Sequence, residues 1–193
     1  MPLPVYPEKM KYLDQAREHL LKASAPVEYQ SRQQLVIDWL GGSSGKTTIR
    51  DVELVCDERA ESTGFGAGVS PAHTFLAGFG FSHMTQWGRA AVFAGVSIDS
   101  LREEVEGAFD RRGEYLYEEG YAHPGFTDIT FKVHIESPSP REQLREFVSW
   151  ADRSPPHATL RRAVRLTGIF YVNGQHLATA IYHPDRTEWR GYP

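Results

Sequence analysis

A chain of 193 residues with 40% hydrophobic and 24% charged side chains can bury a sizeable core in one compact domain, alone or with an appendage, and excludes disorder over most of its length. Its net charge of -4 argues against nucleic acid and anionic membranes as partners, since both need concentrated positive charge. No apolar run approaches the roughly 20 residues of a membrane span, Met1-Pro2-Leu3-Pro4 does not open a secretory signal, and the single Cys56 excludes an internal disulfide framework, so a cytoplasmic protein is expected.

From Glu8 to Ala23, Met10, Leu13, Leu20 and Leu21 recur at near-helical spacing among charges and stop at Pro26. Residues 1–25 are therefore expected to form an amphipathic extension before a domain over residues 26–193. Leu35, Ile37 and Trp39 alternate with polar neighbours, Gly41 to Gly45 turns the chain, and Val52 and Leu54 resume the alternation, which reads as a hairpin. A glycine-rich loop, Gly64 to Gly68, precedes a stretch from Pro71 to Ala94 that is apolar nearly all round. Such a helix is expected to be buried on most sides, with Gly78, Gly80 and Gly88 allowing close backbone packing.

Leu101, Val105 and Phe109 mark one strand, and Ile129, Phe131, Val133 and Ile135 a second, with a polar, aromatic loop between them. Helices are expected near Ser139-Pro140, carrying Leu144, Phe147 and Val148, and after Pro155-Pro156, carrying Leu160 and Val164. Strands around Ile169 to Val172 and Leu177 to Ile181 close a hairpin over Asn173-Gly174. The element order describes an α+β fold.

Around the apolar helix the text becomes more specific: Asp57-Glu58 at a strand end, the glycine loop, Ser70-Pro71, then Phe75-Leu76-Ala77-Gly78-Phe79-Gly80-Phe81-Ser82, and far downstream Arg153-Ser154-Pro155-Pro156-His157. This order resembles the OsmC/Ohr superfamily (osmotically inducible protein C and organic hydroperoxide resistance proteins) over about Leu35 to His183. The resemblance implies an intertwined homodimer, with bent antiparallel sheets wrapped around central buried helices and two sites at the subunit interface.

The resemblance also implies two redox cysteines, one attacking a peroxide and one resolving the sulfenic acid as a disulfide. Ser82 stands at the first position and Ser154 at the second. A hydroxyl is too weakly acidic to replace a thiolate in that attack and forms no disulfide, so the family's peroxidase chemistry is not expected. The glutamate that such relatives carry soon after the helix-opening proline is Ala72 here, beside His73, and Arg32, Arg50 and Arg59 are open alternatives for the partner arginine. Cys56, outside both thiol positions, reads as a small buried residue, with residual peroxide reduction as its functional alternative.

Three functions follow. The first is a repurposed interface pocket for a small apolar molecule, with His73, Phe75, Phe79, Met84 and Trp87 as ligand-binding residues, against the plainer reading that the aromatics are core. The second is non-redox catalysis by Ser82 and Ser154, with His83 and His157 as bases; adjacent helix residues point about 100° apart, so His83 does not easily serve Ser82 of its own chain. The third is a non-catalytic remnant or a stress-response interaction protein. The histidines show no i, i+4 pair on one helix face, so neither a metal nor another cofactor is expected.

Overall fold

The computed structural model describes residues 7–116, 118–120 and 122–191, and among these no helix is long and apolar enough to cross a membrane. The Met1-Pro2-Leu3-Pro4 start and the Met10 side chain lie outside the described residues. The chain forms two compact units that divide between Phe75 and Leu76.

The first unit holds α1 (Pro7–Lys22), α2 (Pro26–Tyr29) and an antiparallel sheet of β1 (Asp38–Gly41), β2 (Ser44–Ile49) and β3 (Val52–Cys56), in that order. The expected hairpin is thus a three-stranded meander. Gly41 and Gly42, at φ 105° and 53°, confine the first turn to two residues, and Arg50, at φ 58°, makes a second turn in a conformation few side chains adopt. Helix α1 forms where expected, but Leu20 and Leu21 of its apolar stripe are exposed.

Helix α3 (Pro71–Phe93) begins at Ser70, whose hydroxyl accepts from the His73 backbone N–H at 3.4 Å. One stripe, Phe79, His83, Gln86, Trp87, Ala90 and Ala91, is buried. Away from it the surface is open: Phe81, on the opposite face, is 72% accessible, Met84 is exposed, and Phe75 and Phe93 are exposed at the helix ends. Burial on most sides therefore does not hold within one chain. Nor do Gly78 and Gly88 mark close packing, since side chains there would meet open space; only Gly80 of the three has a close neighbour, with Val105 3.4 Å from where its Cβ would stand.

From Leu76 onward the second unit is a five-stranded sheet in chain order: β4 (Ser100–Phe109), β5 (Phe126–Glu136), β6 (Arg165–Val172), β7 (Gln175–Tyr182) and β8 (Thr187–Arg190). Every pairing is antiparallel except β5 with β6, which run parallel because α5 (Arg141–Ser149), a 3₁₀ turn (Trp150–Arg153) and α6 (Pro155–Leu160) carry the chain back between them. Two elements of this unit, α4 (Arg111–Tyr115) and β8, went unread in the sequence. Helix α4 is a single turn capped by Asp110, whose carboxylate accepts from Arg112 N at 2.9 Å, and β8 is too short to show alternation.

The core is the inner stripe of β5, Ile129, Phe131, Val133 and Ile135, packed with Leu144, Phe147 and Val148 of α5 and with Leu166, Phe170 and Leu177. Strand β6 needs a glycine to let this happen, because a Cβ at Gly168 would come within 2.6 Å of the Phe131 ring. Gly168→Ala is accordingly expected to destabilise the protein by about 1–3 kcal/mol through overpacking, read as a lower urea midpoint at constant slope. An unchanged midpoint would mean that the Phe131 ring can yield.

Candidate functional site

Ser82 lies on α3, and Ser154, fully buried, is the cap of α6. Pro155 and Pro156 preset the first helical turn, and Ser154 Oγ accepts from His157 N at 3.4 Å while donating to Ser82 Oγ at 2.9 Å. The two serines, 72 residues apart in sequence, are thus brought into direct contact.

Behind them His83 and His157 also meet, but not as bases for the serines. His83 Nδ1 lies 2.7 Å from Glu103 Oε1, and its Nε2 lies 3.0 Å from His157 Nδ1. Both nitrogens of His83 are therefore occupied, and His157 Nε2 has no hydrogen-bond partner among the described residues. Neither imidazole is bonded to a serine hydroxyl, so no serine–histidine dyad is assembled in this geometry.

Glu103, like Asp152, was not singled out in the sequence. It sits on the inward face of β4 between Leu101 and Val105, with its side chain only 1% exposed, and accepts at 3.1 Å from Trp87 Nε1 as well as bonding His83. A carboxylate in an apolar inward register was the signal available. On the other side Asp152 Oδ1 lies 3.6 Å from His157 Nε2 and 3.3 Å from Arg161, while its Oδ2 accepts at 3.0 Å from Thr187. The result is a chain running from Trp87 through Glu103, His83 and His157 to Asp152 and Arg161.

Burial dominates its electrostatics. It brings His157 down to about 3, helped by the charges of His83 and Arg161. It raises Asp152 against the Thr187 hydrogen bond and the Arg161 and His83 charges, and pushes Tyr182, packed edge-on to His157, well above its ordinary value.

Of the expected ligand-binding set, two members are buried and three are exposed. Phe79 and Trp87 are core, stacked among His83, Phe131 and Phe147, whereas Met84 is exposed. Phe75 and His73 belong to the first unit, both exposed, with His73 Nδ1 held 2.6 Å from Ser70 Oγ. That unit contains its own apolar cavity of about 610 Å³, lined by Ile37, Trp39, Leu54, Cys56 and Thr74 among others. Cys56 Sγ lies 3.2 Å from Thr74 Oγ1. No cluster of three or more metal-ligating side chains occurs among the described residues.

A search of curated proteins returns no match. Among solved structures, this chain is similar to an OsmC-like protein from Mycoplasma pneumoniae, with a TM-score of 0.63 at 19% identity over 74% of this chain and 98% of that one. It is also similar to an organic hydroperoxide resistance protein OsmC from Legionella pneumophila, with a TM-score of 0.52 at 16% identity over 74% and 98% of the two chains. An OsmC-like protein of unknown function from Vibrio cholerae gives 0.57 at 10% identity over 74% and 99%. At these identities the likeness is one of fold. The sequence model of the OsmC-like protein family matches residues 64–167, more than half of the chain and the stretch that carries both serines and both imidazoles, and the chain belongs to that family.

Proposed function

We propose that this chain is an OsmC-like protein without thiol peroxidase activity, in which Ser82 and Ser154 stand where relatives carry their attacking and resolving cysteines. The observation that carries the reading is the 2.9 Å contact between the two hydroxyls. Two residues that exchange a disulfide must reach one another, and this pair does so without the thiols. The reading extends to a cytoplasmic homodimer that takes part in stress response and holds a small apolar molecule against α3 near Ser82. Exposed Phe81 and Met84, flanking Ser82 on that helix, support both the apolar ligand and a second subunit.

Ligand binding is favoured over catalysis because no base is bonded to either serine. Hydrolysis at Ser82 would need a base from outside the Glu103 to Asp152 chain. Cys56 is a weaker candidate for redox work, because its thiol sits beside a neutral hydroxyl rather than a cation.

The test is an organic hydroperoxide assay with a dithiol reductant. Wild-type protein is expected to consume no more peroxide than Cys56→Ser, and Ser82→Cys/Ser154→Cys is expected to close a disulfide on oxidation, seen as a loss of two hydrogens in the intact mass. Peroxide turnover that vanishes in Cys56→Ser, or two thiols that stay free under oxidant, would overturn the reading. Native mass spectrometry tests the rest: a dimer with an organic mass that leaves on denaturation supports it, and a bare monomer counts against it.

A further inference from the structure

Hydrogen bonding constrains where protons sit in the buried chain. Glu103 accepts from Trp87 Nε1 and faces His83 Nδ1, so His83 carries a proton on Nδ1. The 3.0 Å contact between His83 Nε2 and His157 Nδ1 then needs one proton, which either nitrogen can hold. If it sits on His157, that ring's Nε2 is bare and a protonated Asp152 suits it. If it sits on His83, His83 is an imidazolium against Glu103, the His157 proton lies on Nε2, and an ionised Asp152 suits it. Both arrangements contain the same number of protons and fit the same heavy atoms.

We infer that His157 is a proton relay, passing a proton between Asp152 at the edge of the second unit and the His83–Glu103 pair in its core. In the forward step Asp152 gives its O–H proton to His157 Nε2 while the His157 Nδ1 proton moves to His83 Nε2. Asp152 is left as a carboxylate, His157 is neutral in its other tautomer, and His83 is a cation balanced by Glu103. The reverse step restores the first arrangement, and no co-reactant is required.

Several features support the relay. Asp152, its side chain 33% exposed, is the member in contact with solvent, whereas both imidazoles are fully buried. Closing the Asp152 to His157 gap from 3.6 Å to hydrogen-bond range takes a movement of roughly 0.6 Å, which a partly exposed side chain can make. The bare His157 Nε2 otherwise remains a buried polar atom without a partner, an arrangement folded proteins avoid. The other groups facing the pair are few. His83 is packed against Phe79, Trp87 and Phe131, which carry no charge. His157 meets Tyr182, whose hydroxyl burial keeps neutral, and Arg161 acts on it from behind Asp152. Burial together with the neighbouring His83 charge disfavours a second cation, so the pair carries one positive charge at most.

The relay stands apart from the serine reading, and its failure would leave the peroxide and disulfide results untouched. The experiment is nuclear magnetic resonance of the imidazole nitrogens in the full-length protein. In the wild type, His83 Nε2 and both His157 nitrogens are expected at chemical shifts averaged between protonated and bare. Asp152→Asn cannot release a proton and should drive His83 Nε2 to one limiting value, although residue 152 does not touch His83. Limiting shifts in the wild type, or a His83 shift indifferent to Asp152→Asn, overturn the relay. Should that variant not fold, the wild-type shifts decide alone.

Discussion

Replacing Glu103 by alanine is expected to destabilise the protein by about 3–5 kcal/mol, because it removes the buried charged partner of two groups at once. The Trp87 indole N–H and the His83 Nδ1–H would be left in a core that gives them no other acceptor. Each unmet buried donor costs about 1–3 kcal/mol, and the two together account for the expected loss. Glu103→Gln keeps one acceptor oxygen and should fall between wild type and alanine. Urea denaturation followed by tryptophan fluorescence reads the difference. A loss for Glu103→Ala below about 1 kcal/mol would show that water reaches both donors, and the chain would then lack its dry setting.

Acid should weaken the fold through His157. In the unfolded chain an ordinary histidine takes its proton near 6.5, whereas in the folded protein His157 resists until about 3. Between those values the unfolded state binds the extra proton, so stability that is complete above 6.5 is lost as pH falls, by up to about 4–5 kcal/mol. Asp152 works in the opposite sense. Its raised pKa lets the folded state take a proton first, which softens the lower part of the decline. His157→Gln removes the dominant group and should flatten the curve of stability against pH, whatever it does to stability at neutral pH. Parallel curves for wild type and His157→Gln would assign the acid loss elsewhere.

What could be read beforehand depended on whether one chain segment or several fixed the outcome. The alternation of Ile129 to Ile135 is a local signal, and β5 formed as read, as did the hairpin over Asn173-Gly174. The run Ser44-Gly45-Lys46-Thr47-Thr48 carries no apolar alternation, so β2 was invisible until its neighbours on both sides paired with it. On α3, apolarity nearly all round was read as burial on most sides, but one chain covers only the stripe that meets the sheet. Ser82, Ser154, His83 and His157 were singled out, and the family's cysteine pairing implied that the two serines meet, but the contact between the two imidazoles was not foreseen. Which imidazole nitrogen meets which partner depends on Glu103 and Asp152, one on a strand and one in a 3₁₀ turn, 49 residues apart in the sequence.

The strand order of the larger sheet follows the order of synthesis, so each strand can join an edge already present as the chain emerges. The exception lies at the parallel junction. Strand β5, with its Ile, Phe, Val and Ile stripe, is complete at Glu136, but β6 begins only at Arg165. During that interval β5 offers an open apolar edge, the kind of surface on which unfinished chains aggregate. A ribosome that pauses between those points would leave this apolar stripe uncovered, and fragments ending before Arg165 should be far less soluble than the whole chain.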